Sequence, residues 1–346
     1  MDIRRLVRKD VQRLRAYNAT EVPCRIKLDA NESPYGFSAA LRSAAGISTN
    51  RYPDPEATLL RGILARDLAA RPENILQGNG SDELIYYLIA TFGGPVLFPT
   101  PTFSMYGIIS RALGEKPVGI PLDAKFDLDL KKILSAVRKE RPKLIFLSSP
   151  NNPTGNCFSA EKMLKIIGSS TGIVVVDEAY QPFSSRKGFL PMLKDYRNLV
   201  IMRTLSKIGL AALRIGYLIA DTEIIEEVNK VRLPFNVNAL SQAVAVAALQ
   251  KRGTLERSVR SVKTERSRMF SAMGKIKGVR PYPSEANFIL FQVEDPVAVH
   301  ASLLKKGILV RNIADVVPGC LRVTVGTRRE NSSFIRALVT ILSAKV

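Results

Sequence analysis

Leu199-Val200-Ile201-Met202-Arg203-Thr204-Leu205-Ser206-Lys207 runs from a short apolar segment directly into hydroxyls and a lysine. Four apolar residues bounded by polar ones read as a buried strand. The residues just past such a strand in an open α/β sheet stand at its carboxyl end, where ligands collect. Outward from this stretch, Ile173-Val174-Val175-Val176 reads as a second strand and ends on Asp177-Glu178-Ala179-Tyr180. Leu144-Ile145-Phe146-Leu147 is a third, followed by the turn-rich Ser149-Pro150-Asn151-Asn152-Pro153-Thr154-Gly155. Pro95-Val96-Leu97-Phe98 and Ile215-Gly216-Tyr217-Leu218-Ile219 have the same character. Between these runs, Ser81 to Ala90, Leu128 to Arg138, Ser159 to Ile167 and Asp221 to Val231 carry helical spacing. The alternation predicts an α/β fold: a mostly parallel sheet covered by helices on both faces.

After Lys251 the pattern changes. A long helix leads to Val279–Pro283, Asn287–Phe291, a helix at Val297–Lys305, Ile308–Val310, Leu321–Val325 and a last helix. This reads as a smaller α+β domain. The expected organisation is a large domain over 31–250 and a small C-terminal domain over 251–346. Residues 1–30 form an arm or part of the small domain.

The 346 residues, 46% of them hydrophobic, suffice for a large core. Cys24, Cys157 and Cys320 lie far apart without a CxxC, so neither a disulfide framework nor a zinc site is expected, and no other metal is. The N-terminal residues lead into no apolar signal core, and no apolar stretch is long enough for a bilayer, so a cytoplasmic protein without a membrane partner is expected. The net charge of +20 is spread along the chain. Its densest part, Lys251 to Arg280, keeps Leu255, Val259, Val262, Met269 and Met273 on a helical stripe, which makes the basic residues a wet face. No nucleic-acid partner is expected; a positive field also attracts small anionic substrates. His300 is the only histidine, which excludes Ser-His-Asp and Cys-His-Asn triads.

Lys207 is therefore the candidate for proton transfer. A lysine amine condenses with an aldehyde, a carboxylate such as Asp177 pairs with a ring cation, and hydroxyls with an arginine such as Arg214 hold a phosphate. Asp177 at the end of an apolar strand is costly to bury without a positive partner; alternatively it caps the next segment. Gly78-Asn79-Gly80-Ser81-Asp82-Glu83 precedes a helix and fits either an anion cradle or a glycine turn with an N-cap. It is not a dinucleotide fingerprint, since position 83 is Glu, and no Walker lysine follows. Asn152 sits in a loop that is rigid on its own account. Tyr106 either packs or stacks on a ring.

These elements, in this order, resemble the fold-type I pyridoxal-phosphate enzymes and, within them, the histidinol-phosphate aminotransferase family. The resemblance rests also on Lys27-Leu28-Asp29-Ala30-Asn31-Glu32-Ser33-Pro34-Tyr35-Gly36, on Arg51-Tyr52-Pro53-Asp54 and on Cys320-Leu321-Arg322-Val323-Thr324-Val325-Gly326-Thr327, and it runs from about Tyr17 to the C-terminus. Ser33 stands where many relatives carry a second Asn. The resemblance implies a large domain with a seven-stranded sheet, a homodimer with shared sites, and pyridoxal 5′-phosphate as cofactor. It implies transamination of histidinol phosphate with 2-oxoglutarate, both small anionic substrates. Lys207 would carry the cofactor, with Asp177 on the ring nitrogen, Asn152 and Tyr180 on the ring oxygen and Tyr106 stacked on the ring. Gly80, Ser81, Asp82, Thr204, Ser206 and Arg214 would hold the phosphate, joined by Tyr52 from the partner subunit. Arg322 would bind the anionic end of the substrate, helped by Tyr17, Asn31, Asn152 and Arg311. Aromatic-acid aminotransferases and threonine-phosphate decarboxylase share much of this pattern. A DNA-binding regulator on the same fold is a rival from another class; the catalytic positions being filled speaks against it.

Overall fold

The computed structural model describes residues 1–14 and 22–343; Tyr17, expected against the substrate, lies outside them. Twelve strands are described: β1 (Ile26–Leu28), β2 (Ile75–Asn79), β3 (Val96–Thr100), β4 (Pro117–Pro121), β5 (Leu144–Ser148), β6 (Ile173–Asp177), β7 (Leu199–Thr204), β8 (Ile215–Ala220), β9 (Arg280–Pro281), β10 (Phe288–Gln292), β11 (Ile308–Asn312) and β12 (Cys320–Thr324). They form a seven-stranded sheet in the order β2-β8-β7-β6-β5-β3-β4 and a five-stranded sheet in the order β1-β11-β12-β10-β9. In the larger sheet only β8 runs against its neighbours. The fold is the expected α/β architecture, a mostly parallel seven-stranded sheet with helices on both faces.

The unbroken apolar runs of β5, β6 and β7 arise from burial on both faces. Val174 and Val176 pack with Ile133, Val137, Met163 and Ile166 from the helices Leu130–Glu140 and Ala160–Ser169. Val175, pointing the other way, packs with Leu84, Ile85, Leu88 and Ile109 from the helices Ser81–Phe92 and Met105–Leu113. Each such side chain contributes about 1.5–3 kcal/mol when fully buried. Asp177 shares the face of Val175 by strand alternation, which is how it comes to meet the helix that carries Tyr106. The register pairs Ser148 with Asp177 and Asp177 with Met202, so β5 and β6 end level and β7 runs two residues further, to Thr204.

Ser159 and Asp221 are N-caps whose side chains accept from Lys162 N and Glu223 N, one residue ahead of the helices they cap. β2 and β4 are not apparent in the sequence. β2 carries Gln77, Gly78 and Asn79, and β4 is an edge strand bracketed by Pro117 and Pro121. Val279–Pro283 yields only the two-residue β9. β1, from the N-terminal thirty residues, pairs parallel with β11 and so joins the smaller sheet. The helix Arg252–Met273 lays Val262, Met269 and Met273 against that sheet. No helix among the described residues is long and apolar enough to cross a membrane.

Candidate active site

A cavity of about 1080 Å³ opens where the carboxyl ends of β5, β6 and β7 meet one face of the smaller sheet. Its lining includes Asn31, Ser81, Asp82, Asn152, Asp177, Tyr180, Thr204, Ser206, Lys207, Arg214, Arg311 and Arg322. Residues from both ends and the middle of the chain thus meet in one place. Gly80, Tyr52 and Tyr106, also expected in the site, do not line it.

Asp177 lies on the cavity floor, only 4% exposed. Its Oδ2 accepts the Tyr106 hydroxyl at 2.6 Å and its Oδ1 accepts Ala179 N at 3.0 Å. Burial pushes this carboxyl up to about 6, against the Tyr106 and Ala179 hydrogen bonds and nearby Lys207, which favour the charged form. Lys207 Nζ lies 6.0 Å from the centre of the Tyr180 ring. Tyr180 is in turn fixed: its hydroxyl accepts Asn31 Nδ2 at 2.9 Å and its ring meets Phe288 edge to face. Asn31 is itself held by Thr324 Oγ1 and Asn287 Nδ2. Its amide is therefore directed at Tyr180, although it was expected against the substrate.

An anion cup faces Lys207. The helix Ser81–Phe92 points its N-terminal amides into the cavity behind Ser81 and Asp82, a favourable end for negative charge. Thr204 Oγ1 donates to the Ile215 carbonyl at 3.1 Å and accepts Ser206 N at 3.1 Å, which sets the turn that presents Ser206 and Lys207. Arg214 reaches across to Asp82 Oδ2 at 3.3 Å. Gly80 serves by lacking a side chain. Its φ is +82°, and a Cβ there would stand 2.5 Å from Arg214 Nη2. Gly80→Ala is therefore expected to destabilise the fold by about 1–2 kcal/mol and to displace Arg214. Thermal melting and phosphate-ester affinity of the variant check this; unchanged affinity would show that Arg214 does not need the space.

The smaller sheet brings two arginines to the cavity. Arg311 and Arg322 are directly opposed on β11 and β12 and so project to the same side. Arg322 donates through Nη1 to Asn152 Oδ1 and through Nη2 to the Asp29 carbonyl at 2.7 Å, with its guanidinium 5.2 Å from the Phe288 ring centre. A lysine, a buried acid and an anion cup from the larger sheet, with a guanidinium from the smaller one, form an arrangement that can hold a phosphorylated aldehyde and an anionic amine together.

The family model for "Aminotransferase class I and II" matches residues 25–338. The chain belongs to the aminotransferase class I and II family. Among curated relatives of this aminotransferase, it is 43% identical to histidinol-phosphate aminotransferase 2 of Nitrosococcus oceani, covering 96% of each chain. It is 40% identical to the histidinol-phosphate aminotransferase of Caldanaerobacter subterraneus subsp. tengcongensis, covering 99% of this chain and 100% of that one. Among solved structures it resembles histidinol-phosphate aminotransferase from Sinorhizobium meliloti in complex with pyridoxal-5′-phosphate, with a TM-score of 0.88, 26% identity and 98% of each chain covered.

Tyr106 requires a correction in this aminotransferase. It is fully buried, its face is stacked on Phe146 at 4.7 Å and 12°, and its hydroxyl is spent on Asp177. Phe103, which meets Tyr106 edge to face at 5.6 Å, is the aromatic side chain that lines the cavity in its place. Both rings stand at the start of the helix Met105–Leu113, three positions apart, and Tyr106 takes the core side. Nothing in the sequence separates the two except the one residue of helix that precedes Tyr106. Tyr52 is 81% exposed and stacks on Phe235 at 4.5 Å, outside this chain's cavity.

Proposed function

We propose that the chain is a pyridoxal-phosphate-dependent transaminase that exchanges the amino group of L-histidinol phosphate with 2-oxoglutarate, giving imidazole-acetol phosphate and L-glutamate. The observation that carries this reading is one cavity lined by Lys207 and the anion cup from the larger sheet and by Arg322 from the smaller one. The names of the relatives at 40–43% identity over nearly the whole chain support it.

The residues fit the cofactor. Asp177 is a buried carboxyl held high by desolvation, and a ring cation beside it supplies the missing positive charge. The cup of Ser81, Asp82, Thr204, Ser206 and Arg214 would hold the phosphate, and Phe103, which lines the same cavity, would face the ring. Bound pyridoxal phosphate supplies an aldehyde for the amino group and an electron-withdrawing cationic ring. Asp177 keeps the ring nitrogen protonated. Asn152 and Tyr180 orient the ring oxygen. Lys207 would hold the cofactor, and its free amine would move a proton at the substrate α-carbon. Arg322, aided by Arg311, binds the substrate anion. In histidinol phosphate a CH₂-phosphate stands in place of an α-carboxylate, so one guanidinium fork serves that phosphate and the α-carboxylate of glutamate.

We also propose a homodimer, in which the exposed Tyr52, within a surface that includes Leu59, Leu233, Phe235 and Leu240, completes the partner's phosphate site. Domains over 31–250 and 251–346, with 1–30 joining the latter through β1, accord with the two sheets.

Arg322→Ala is expected to raise the KM for both histidinol phosphate and glutamate by about 100-fold, since it removes a charged hydrogen-bonded contact. Steady-state kinetics with each substrate tests this. An unchanged KM for either one contradicts the shared anion pocket.

A further inference from the structure

Asp177 faces the cavity, and its neighbour Glu178 faces the opposite side of the sheet. The Glu178 side chain is 0% exposed. Its Oε2 accepts Arg203 Nε at 2.9 Å and Arg203 Nη2 at 2.7 Å, and its Oε1 accepts Phe189 N at 2.5 Å. A Cβ on Gly188 would stand 2.6 Å from Oε1, so the loop closes tightly over this carboxylate. Arg203 is opposite Tyr217, and Tyr217 is opposite Gln77. Gln77 Nε2 donates to the Pro55 carbonyl at 3.1 Å, three residues beyond Tyr52. A polar row thus crosses an otherwise apolar sheet just beneath the site. None of its members takes part in the chemistry above.

Stability alone does not account for this pair. Desolvating two charges offsets their attraction, and apolar replacements of such pairs are often neutral or stabilising. The pair supplies geometry instead. Glu178 N donates to Met202 O at 2.8 Å, and the side-chain clamp adds a second tie between the same two strand ends. It acts one residue from Asp177 on β6 and one residue from Thr204 on β7, where the turn to Lys207 begins.

We propose that Glu178 and Arg203 are positioning residues whose ion pair fixes the end of β6 against the end of β7, and so sets Asp177 and Lys207 in relation to the cofactor ring. The proposal rests on the reading that the cavity holds pyridoxal phosphate.

The test is the double variant E178Q/R203M. Gln retains the acceptor for Phe189 N, and Met fills the arginine stem without stranding a charge. Four quantities are measured beside wild type: melting of the cofactor-free protein, pyridoxal-phosphate affinity by absorbance titration, the pH midpoint of the visible band, and kcat and KM with glutamate. The expected result is a melting temperature within a few degrees of wild type, with cofactor affinity lowered about tenfold and a shifted pH midpoint. The kcat falls about 10- to 100-fold, while the glutamate KM stays within about twofold. Wild-type affinity and midpoint in the double variant overturn the proposal and leave the pair a packing role. If the double variant does not fold, Arg203→Lys decides by the same readouts, because it keeps the charge and loses the planar fork. Lowered affinity with a shifted midpoint in Arg203→Lys supports the proposal, and wild-type values overturn it. A wild-type protein that takes up no pyridoxal phosphate overturns the cofactor reading, and the proposal with it.

Discussion

Lys207→Ala is expected to lower turnover at least about 10⁴-fold, because it removes both the covalent tether and the proton carrier. Lys27 also lines the cavity, but its amine is tied to Asp29 at 3.2 Å and Glu32 at 2.8 Å. His300 does not line the cavity, and its Nε2 lies 3.1 Å from the Val310 carbonyl. Cofactor binding is expected to survive in weakened form, since Ser81, Thr204, Ser206, Arg214 and Asp177 are untouched. Two measurements separate the roles. Absorbance titration with pyridoxal phosphate reports retention, and glutamate formation from 2-oxoglutarate in the presence of histidinol phosphate reports turnover. A variant that turns over within tenfold of wild type contradicts the assignment of Lys207.

Asp177→Asn is expected to lower kcat about 10³-fold while leaving the backbone in place. In the proposed function the carboxylate stabilises a ring cation at a buried position, where loss of one such interaction costs roughly 3–4 kcal/mol. The same substitution has a separate signature in the cofactor-free protein. The Asp177 carboxyl is raised from 3.8 to about 6 by burial. Its neutral form is the one the folded state favours. Its contribution to stability is therefore fully present below about pH 4 and is lost as pH rises through about 6, a loss on the order of 3 kcal/mol. Melting of the cofactor-free wild type should fall across this window, and Asp177→Asn should remove that portion of the fall. Adding the cofactor should also suppress it, because a ring cation stabilises the ionised carboxylate. A wild-type profile identical to that of the variant between pH 4 and 7 would show that Asp177 does not titrate in this way.

The parallel core strands are legible because burial on both faces leaves unbroken apolar runs, and those runs place Asp177 and Thr204 to Lys207 at strand ends. β2 is hidden because its last residues, Gln77, Gly78 and Asn79, are polar or flexible and lead directly into the turn that feeds the anion cup. β4 is hidden because an edge strand tolerates the prolines that elsewhere break one. Within the site, chain order identifies which residues gather, and packing decides what each one faces. Tyr106 and Phe103 differ by a rotation at a helix start, which local sequence does not encode. Asn31 bonds to Tyr180, and Gly80 acts through the room it leaves for Arg214; both depend on contacts between segments far apart in the chain. The Glu178–Arg203 row is hidden for a similar reason: two charged residues beside apolar runs read as exposed strand ends until the register sets them opposite one another.

Lys207 and its cup are expected to carry pyridoxal phosphate through transamination of a phosphorylated imidazole amine. The most direct measurement tracks the visible absorbance of the protein loaded with pyridoxal phosphate after separate additions of glutamate, histidinol phosphate and phenylalanine. The predicted result is loss of the band with glutamate and histidinol phosphate, much faster than with phenylalanine, and its return on adding 2-oxoglutarate. A band that phenylalanine converts and histidinol phosphate leaves unchanged would contradict the account.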